Sequence, residues 1–258
     1  LNTMVTACAA GTQAIGHAAE EIRRGVADVM LAGGVEAMIN DMFFASFEAM
    51  RAVTTRNDEP ERASRPFDAQ RDGFVIGEGT AVFLLEGLDH ALARGAAIYA
   101  EVLGWSETAD AFHIAQPDPS GRGAALAMRT ALADAGLTAA DIDYINPHAA
   151  GTPLGDAHET TAIKDVFGPR AYEIPISSTK SMIGHLFGGA GAAEALACVY
   201  TIHTGTIHPT INYEFADPEC DLDYVPNVAR QAPVNITLST SFGLGGQNAC
   251  LILGKYRQ

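Results

Sequence analysis

Apolar residues recur at three- and four-residue steps in Ala14, Ile15, Ala18, Ala19 and Ile22, and Gly25 follows Arg23 and Arg24. That period predicts a helix running from about Gly11 to a stop at the glycine. Ahead of it, the short apolar run Met4-Val5 predicts a strand that enters Cys8 through a tight turn. Continuous apolar runs predict further strands over 28–34, 81–85, 97–103, 142–145, 174–177, 236–239 and 249–253. Helical spacing appears over 88–94, 123–135, 156–167 and 192–204, with Gly95, Gly136 and Gly205 as stop signals. Strands alternating with helices predict a layered α/β protein whose sheets are covered by helices.

One stretch breaks the pattern. Residues 51–72 carry Arg51, Arg56, Arg62, Arg65 and Arg71 with Asn57, Pro60 and Pro66 and no clear period. It reads as a surface loop. Ion pairs to Asp58, Glu59, Glu61 and Asp68 are the ordinary expectation, and docking of an acidic partner is the functional one.

At 258 residues, 48% hydrophobic and 18% charged, the chain is globular and long enough for one large domain or two small ones. A net charge of −15 argues against nucleic acid or an anionic membrane as the main partner. No run is apolar for long enough to span a bilayer and no signal sequence is visible, so a soluble, cytoplasmic protein is expected. The four cysteines lie far apart without a C-x-x-C pair, which suits a reducing compartment and neither a disulfide framework nor a zinc ribbon. The chain starts at Leu1, a few residues before its strongest candidate nucleophile, so a fragment of a longer protein is expected.

That candidate is Cys8. The first N–H groups of a helix lack intrahelical partners and the dipole is positive there, so a thiolate is stabilised and a lowered pKa is expected. The alternative is a buried, inert cysteine. His148 follows the strand at 142–145, and Lys180 and His185 follow the strand at 174–177. The glycine-rich Gly243-Leu244-Gly245-Gly246 offers backbone N–H groups to an oxyanion. In open α/β sheets such groups gather outside the carboxyl ends of strands. The competing readings are a structural histidine at a strand end and a surface lysine. His17, His90, His113, His158, His203 and His208 are read as structural. A metal reading of His148, Asp156 and His158 fits no ligand spacing, so no metal is expected.

Four motifs occur in order: Thr6-Ala7-Cys8-Ala9-Ala10-Gly11, Asn146-Pro147-His148, Ser178-Thr179-Lys180-Ser181-Met182-Ile183-Gly184-His185 and Ser241-Phe242-Gly243-Leu244-Gly245-Gly246. Together with Thr55-Arg56-Asn57-Asp58, Ser64-Arg65-Pro66-Phe67-Asp68 and Cys220-Asp221-Leu222-Asp223, they resemble the β-ketoacyl-[acyl carrier protein] synthases of the elongating type II class. The resemblance implies the thiolase-like fold, layered α-β-α-β-α. Residues 1–95 would be the end of its first half and 96–258 the complete second half.

It also implies a decarboxylating Claisen condensation in fatty acid biosynthesis. Cys8 would carry the acyl group, and His148 and His185 would stabilise the enolate derived from malonyl-[acyl carrier protein]. Lys180 and Glu194 would form a buried ion pair beside them. Thr152, Gly243, Leu244 and Gly245 would bind substrate, and Arg51 and Arg56 would dock the carrier protein. No cofactor is implied, and a homodimer is. Two positions depart from the family pattern: Ala150, where a hydroxyl is usual, and Leu244, where a gating Phe is usual. A degradative thiolase would need a second catalytic cysteine, and Cys250 lies in an apolar run. Chain-starting condensing enzymes carry asparagine where His185 stands. A polyketide-type ketosynthase and a non-catalytic ketosynthase-like partner subunit stay as alternatives.

Overall fold

The computed structural model describes residues 1–257. After a single 3-10 turn at Ala7–Ala9, the helix α1 spans Ala10–Arg23 and buries Ile15, Ala18 and Ala19. Strand β1 (Val29–Glu36), helix α2 (Asp41–Ala49), strand β2 (Gly79–Glu86) and helix α3 (Leu88–Ala93) follow. The second part runs β3 (Glu101–Ala109), α4 (Arg122–Asp134), β4 (Tyr144–Asn146), α5 (Pro153–Phe167), α6 (Lys180–Ile183) and α7 (Ala190–Thr204). It closes with β5 (Thr206–Ile207), β6 (Arg230–Gln231), β7 (Ile236–Gly243) and β8 (Gln247–Gly254).

Two sheets sandwich a pair of helices. β1 and β2 form an antiparallel pair, and a four-stranded sheet has the order β3-β8-β7-β4. α1 and α7 pack between them, touching each other, β1 and β2 on one side and β7 and β8 on the other. α4 covers the opposite face of the large sheet and packs on α5. Ala125, Met128, Ala131 and Ile163 are buried there beneath Leu238 and Ile252. The outer face of the β1–β2 pair is open, with Leu31 at 73% exposure opposite Leu84.

The α1–α7 contact is close because small residues meet there. A side chain on Gly11 would approach the Gly188 carbonyl oxygen to 2.7 Å and the Ala192 nitrogen to 2.9 Å. Thr12 Oγ1 meets Ser241 Oγ at 2.8 Å, which ties α1 to β7. β4 runs parallel to β7, with Asn146 beside Ser239, so their carboxyl ends finish on the same side as the start of α1. That common end holds the site.

Most expected elements are present, and five expectations need correction. No strand forms at 174–177, where Ile176 makes only an isolated bridge to Ile145. Met4-Val5 forms no strand: residues 1–6 are irregular and Val5 is exposed. The strand expected at 97–103 is shifted to Glu101–Ala109 and runs through Gly104, because a bare glycine is what fits against the Ala131 carbonyl of α4. α5 begins three residues early, at Pro153, because Thr152 caps it by accepting a hydrogen bond from Gly155 N at 3.2 Å. The arginine-rich stretch is not all surface. Arg65 is fully buried between Asp68 (3.1 Å) and Glu214 (2.9 Å). Arg71 is buried too, donating to Thr152 O and Pro153 O and pairing with Asp217 at 2.5 Å. Asp68 is the local partner the sequence offered, but Glu214, Asp217 and the Thr152 and Pro153 carbonyls are distant in the chain and invisible to a sequence window.

The α1–α7 approach generates a first prediction. Gly11→Leu forces backbone apart at a packed contact, so a loss of about 1–3 kcal/mol or more is expected. Urea unfolding of the variant checks it, and a midpoint equal to that of the parent would count against the contact as described.

Candidate active site

Cys8 sits in the middle of the turn before α1, and the residue before it, Ala7, has φ of 51°. A left-handed alanine is strained, and here it turns the chain sharply enough to aim the sulfur at the end of the sheet. Cys8 is 5% exposed. Its thiol is pushed up to about 12, first by burial, against the opposing charge of Lys180 and the N–H groups of Leu244 and Cys8 itself. The expected acidified thiol is therefore corrected. Loss of water around a thiolate outweighs every local stabilising group.

His185 Nε2 lies 3.0 Å from Cys8 Sγ. Its Nδ1 accepts a hydrogen bond from Phe187 N at 3.2 Å, so the neutral ring carries its proton on Nε2, aimed at the sulfur. The ring is stacked on Phe187 at 4.5 Å and meets the edge of Phe74 at 5.3 Å. Backbone bonds from His185 N to Val75 O (2.7 Å) and from Gly77 N to His185 O (2.9 Å) fix the segment. Burial, then the charge of Lys180, holds this imidazole well below the usual histidine range.

His148 faces His185 edge-on at 5.3 Å, and it too is held well below the usual range, by burial, Lys180 and His185 in that order. Its Nδ1 is buried with no partner. Its backbone is gripped from two sides: Glu159 Oε1 accepts from His148 N at 2.9 Å, and Lys180 Nζ donates to His148 O at 2.5 Å. Lys180 also pairs with Glu194, both side chains being almost wholly buried. Burial raises the Glu194 carboxyl and Lys180 pulls it back.

The glycine loop between β7 and β8 comes against the nucleophile. A side chain on Gly243 would sit 2.7 Å from Thr6 O and 3.3 Å from Cys8 N, so only glycine permits the approach. A cavity of about 540 Å³ opens from this cluster, lined by Cys8, His148, His185, Phe47, Thr152 and Leu244 among others. Arg51 stands on its wall. Gly243 lines it as well. Gly245 does not, and its N–H is taken by Ile114 O at 2.8 Å. Arg56 is outside the cavity and pairs with Glu59 at 3.4 Å.

Chemically, the arrangement offers one thiol, one imidazole 3.0 Å from it, a second imidazole in the same cavity, and the N–H groups of Cys8 and Leu244 facing the sulfur. Such a set is chemically able to take up an acyl group and to stabilise an oxygen-centred negative charge.

The comparisons with known proteins agree. Residues 2–91 match the N-terminal domain of the β-ketoacyl synthases and residues 99–214 their C-terminal domain. The chain belongs to the β-ketoacyl synthase family. It is 52% identical over 256 residues to 3-oxoacyl-[acyl-carrier-protein] synthase 2 of Synechocystis sp., an alignment covering 99% of this chain and 62% of that protein. A type II polyketide ketosynthase, solved with its acyl-carrier protein and bound to the hexaketide, superposes with a TM-score of 0.98. It is 40% identical, with 100% of this chain and 63% of that one covered. The ishigamide ketosynthase/chain length factor superposes at 0.92 with 42% identity, covering 99% of this chain and 61% of that one. The chain thus spans less than two thirds of the length of these relatives.

For a β-ketoacyl synthase site, the sequence reading missed Glu159 and under-used Asp156. Both lie on the first turns of α5, three residues apart, on the face turned to the core. Glu159 accepts from His148 N, Ala149 N (2.7 Å) and Thr240 Oγ1 (2.6 Å). Asp156 accepts from Phe67 N (2.8 Å) and Gly151 N (3.2 Å) and faces Arg71. Two carboxylates at i and i+3 beside buried alanines were the available signal. Phe74 and Phe187, which frame His185, gave none.

Two predictions follow from the buried charges. Burial pushes the Glu159 carboxyl up to about 7. An unfolded glutamate titrates near about 4.3, so between these values the folded chain holds a proton that the unfolded chain has lost. Its contribution therefore falls as pH rises through that window. Glu159→Gln is expected to flatten the fall in unfolding free energy between pH 5 and 7, and an unchanged slope in urea titrations would refute the assignment. Separately, Lys180→Met leaves Glu194 buried without its partner, for which about 3–5 kcal/mol of destabilisation is expected. Adding Glu194→Leu is expected to recover most of that loss in thermal unfolding.

Proposed function

We propose that the chain carries the reaction centre of a decarboxylating Claisen condensation that lengthens an acyl chain by two carbons. The observation that carries the proposal is the protonated Nε2 of a neutral His185 set 3.0 Å from Cys8 Sγ, with His148 as its neighbour.

In the first step the Cys8 sulfur attacks the thioester carbon of an acyl group on a phosphopantetheine arm. The thiol proton leaves with the departing pantetheine sulfur, and the acyl group stays on Cys8. The transient oxyanion lies between the N–H groups of Cys8 and Leu244. In the second step a malonyl thioester loses its carboxylate as CO₂. The electron pair of the broken C–C bond becomes an enolate, whose oxygen accepts hydrogen bonds from His148 and His185. Neutral imidazoles suit this role, since they donate a proton without surrendering it. In the third step the enolate carbon attacks the Cys8 thioester, the C–S bond breaks, and the sulfur leaves as a thiolate that takes a proton from water to restore the thiol. Lys180 and Glu194 touch no reacting atom in this scheme. They hold the His148 carbonyl and set the local charge.

Carrier protein is the proposed source of both thioesters. The solved ketosynthase complex with an acyl-carrier protein supports it, as does the position of Arg51 on the cavity wall. Arg56, tied to Glu59, would play a lesser part. We place residues 1–95 and 96–258 in two halves of a thiolase-like unit that pairs with a second copy. Fatty acid elongation is favoured by the 52% identity to the synthase 2 relative. A polyketide role is the second reading, favoured by the TM-score of 0.98 to the hexaketide-bound ketosynthase and by Leu244 on the cavity wall.

Intact mass after incubation with acyl-carrier protein thioesters tests the proposal. One acyl increment is expected on the parent and none on Cys8→Ala. His148→Ala is expected to keep the increment and to lose about 10²–10³-fold in CO₂ release from malonyl-carrier protein, the range for removing one donor to a developing oxyanion. Acylation of Cys8→Ala, or full decarboxylation by His148→Ala, would sink the scheme. Acceptance of fatty acyl but not polyketidyl thioesters would decide between the two readings.

A further inference from the structure

His208 lies outside the cavity, on the segment after β5, yet its ring reaches the back of the site. Nε2 is 3.0 Å from Thr179 Oγ1, 3.2 Å from the Tyr144 hydroxyl and 3.4 Å from Asn146 Nδ2. Nδ1 is 3.1 Å from Pro209 O and 3.4 Å from Ser177 Oγ. The positions it touches are the immediate neighbours of reactive ones. Asn146 ends β4 two residues before His148, and Thr179 directly precedes Lys180.

The donors and acceptors fit a chain in which Nε2 accepts from a hydroxyl. Pro209 O accepts only, so Nδ1 carries the proton and Nε2 is an acceptor. Asn146 Nδ2 donates to Thr179 Oγ1 at 2.8 Å, and the Thr179 hydroxyl is then free to donate to Nε2. Tyr144 OH receives the other Asn146 proton at 3.0 Å and passes its own to Ser177 Oγ at 2.9 Å. A single ring thus joins the strand that delivers His148 to the turn that delivers Lys180. The same segment braces that turn twice more: Ser178 N donates to Thr210 Oγ1 at 3.0 Å, and Ile211 N to Ser181 Oγ at 3.1 Å. The groups facing the ring from these elements are neutral, and burial keeps His208 itself below its usual range.

We propose that His208 is a positioning residue for the condensation site, a neutral hydrogen-bond acceptor that locks Thr179 against Asn146 and thereby holds Lys180 Nζ on the His148 carbonyl. The inference rests on the function proposed above. It places the consequence of losing the ring in the enolate-forming step, which depends on His148. Acyl transfer to Cys8 rests on contacts of the Ala7–Ala9 turn, the glycine loop and His185, none of which His208 touches, and Lys180 reaches the sulfur only through its charge.

The test uses the whole chain in three forms: the parent, His208→Leu, which keeps the bulk and removes the acceptor, and His208→Gln, which returns an acceptor. Nitrogen NMR of histidine-labelled parent is expected to show His208 with Nδ1 protonated and Nε2 bare. The His148 ring signals are expected to move in His208→Leu and to return in His208→Gln, with those of exposed His113 fixed. In kinetics, His208→Leu is expected to lose about tenfold in CO₂ release from malonyl-carrier protein, the scale of one buried hydrogen bond. Cys8 acylation is expected to stay within about twofold, and His208→Gln to regain most of the loss.

An Nε2-protonated ring, unmoved His148 signals, or equal losses in both half-reactions would overturn the proposal, the last by reducing His208 to a stability residue. A parent that neither acylates nor decarboxylates would remove the proposed function. The NMR arms would then decide the positioning by themselves.

Discussion

The buried pair of Lys180 and Glu194 is the contact on which the site depends. Both side chains are almost completely out of water, where any polar atom left without a partner is costly. The ammonium finds a second partner in the His148 carbonyl, while Glu194 Oε2 has none among the described residues. One side chain therefore joins α6, α7 and the loop after β4. Burial first, and the charge of Lys180 second, lower the proton affinity of both imidazoles, so the pair contributes to the protonation state of the site as well as to its geometry.

Around that pair, the chain holds its reactive groups by backbone more than by side chain. Glu159 takes two consecutive N–H groups at His148 and Ala149, while Arg71 takes two consecutive carbonyls at Thr152 and Pro153. The loop carrying His148 is thus clamped at both ends, by a carboxyl that accepts and a guanidinium that donates. Its rigidity is a product of α5, which supplies Glu159 and Asp156 from its first turns, and of the arginine-rich stretch, which supplies Arg71.

Helices α1, α3, α4, α5 and α7 and strands β1, β2, β7 and β8 were legible because their apolar period or continuous apolar run is set by burial on one face or both, whereas α2 and the single turn α6 were not expected. The Cys8, His148 and His185 positions were legible as well, since small residues and glycines flank each of them. What stayed hidden has a common cause. Arg65 and Arg71 look solvated in a charged, aperiodic window, and their partners Glu214 and Asp217 lie well over a hundred residues away. Glu159 looks like one more polar residue on a helix until β7 brings Thr240 to it. His208 was read as structural, and nothing within its own window tells that Thr179 and Asn146 will meet at its ring. The thiol was misjudged for a related reason: a helix start is visible in sequence, but the removal of water around it is not.

The high proton affinity of the Cys8 sulfur has a consequence for selectivity of another kind. Oxidants and soft electrophiles attack thiolates, and a sulfur that stays protonated to about 12 presents almost none of that species at neutral pH. Burial thus lowers the reactivity of the Cys8 sulfur toward peroxide and stray alkylating agents. Under the proposed condensation, an acyl donor that brings its own leaving group into the cavity would carry the proton away as it reacts. Burial, usually counted as a handicap for a catalytic cysteine, would then discriminate between acyl donors and other reagents for sulfur.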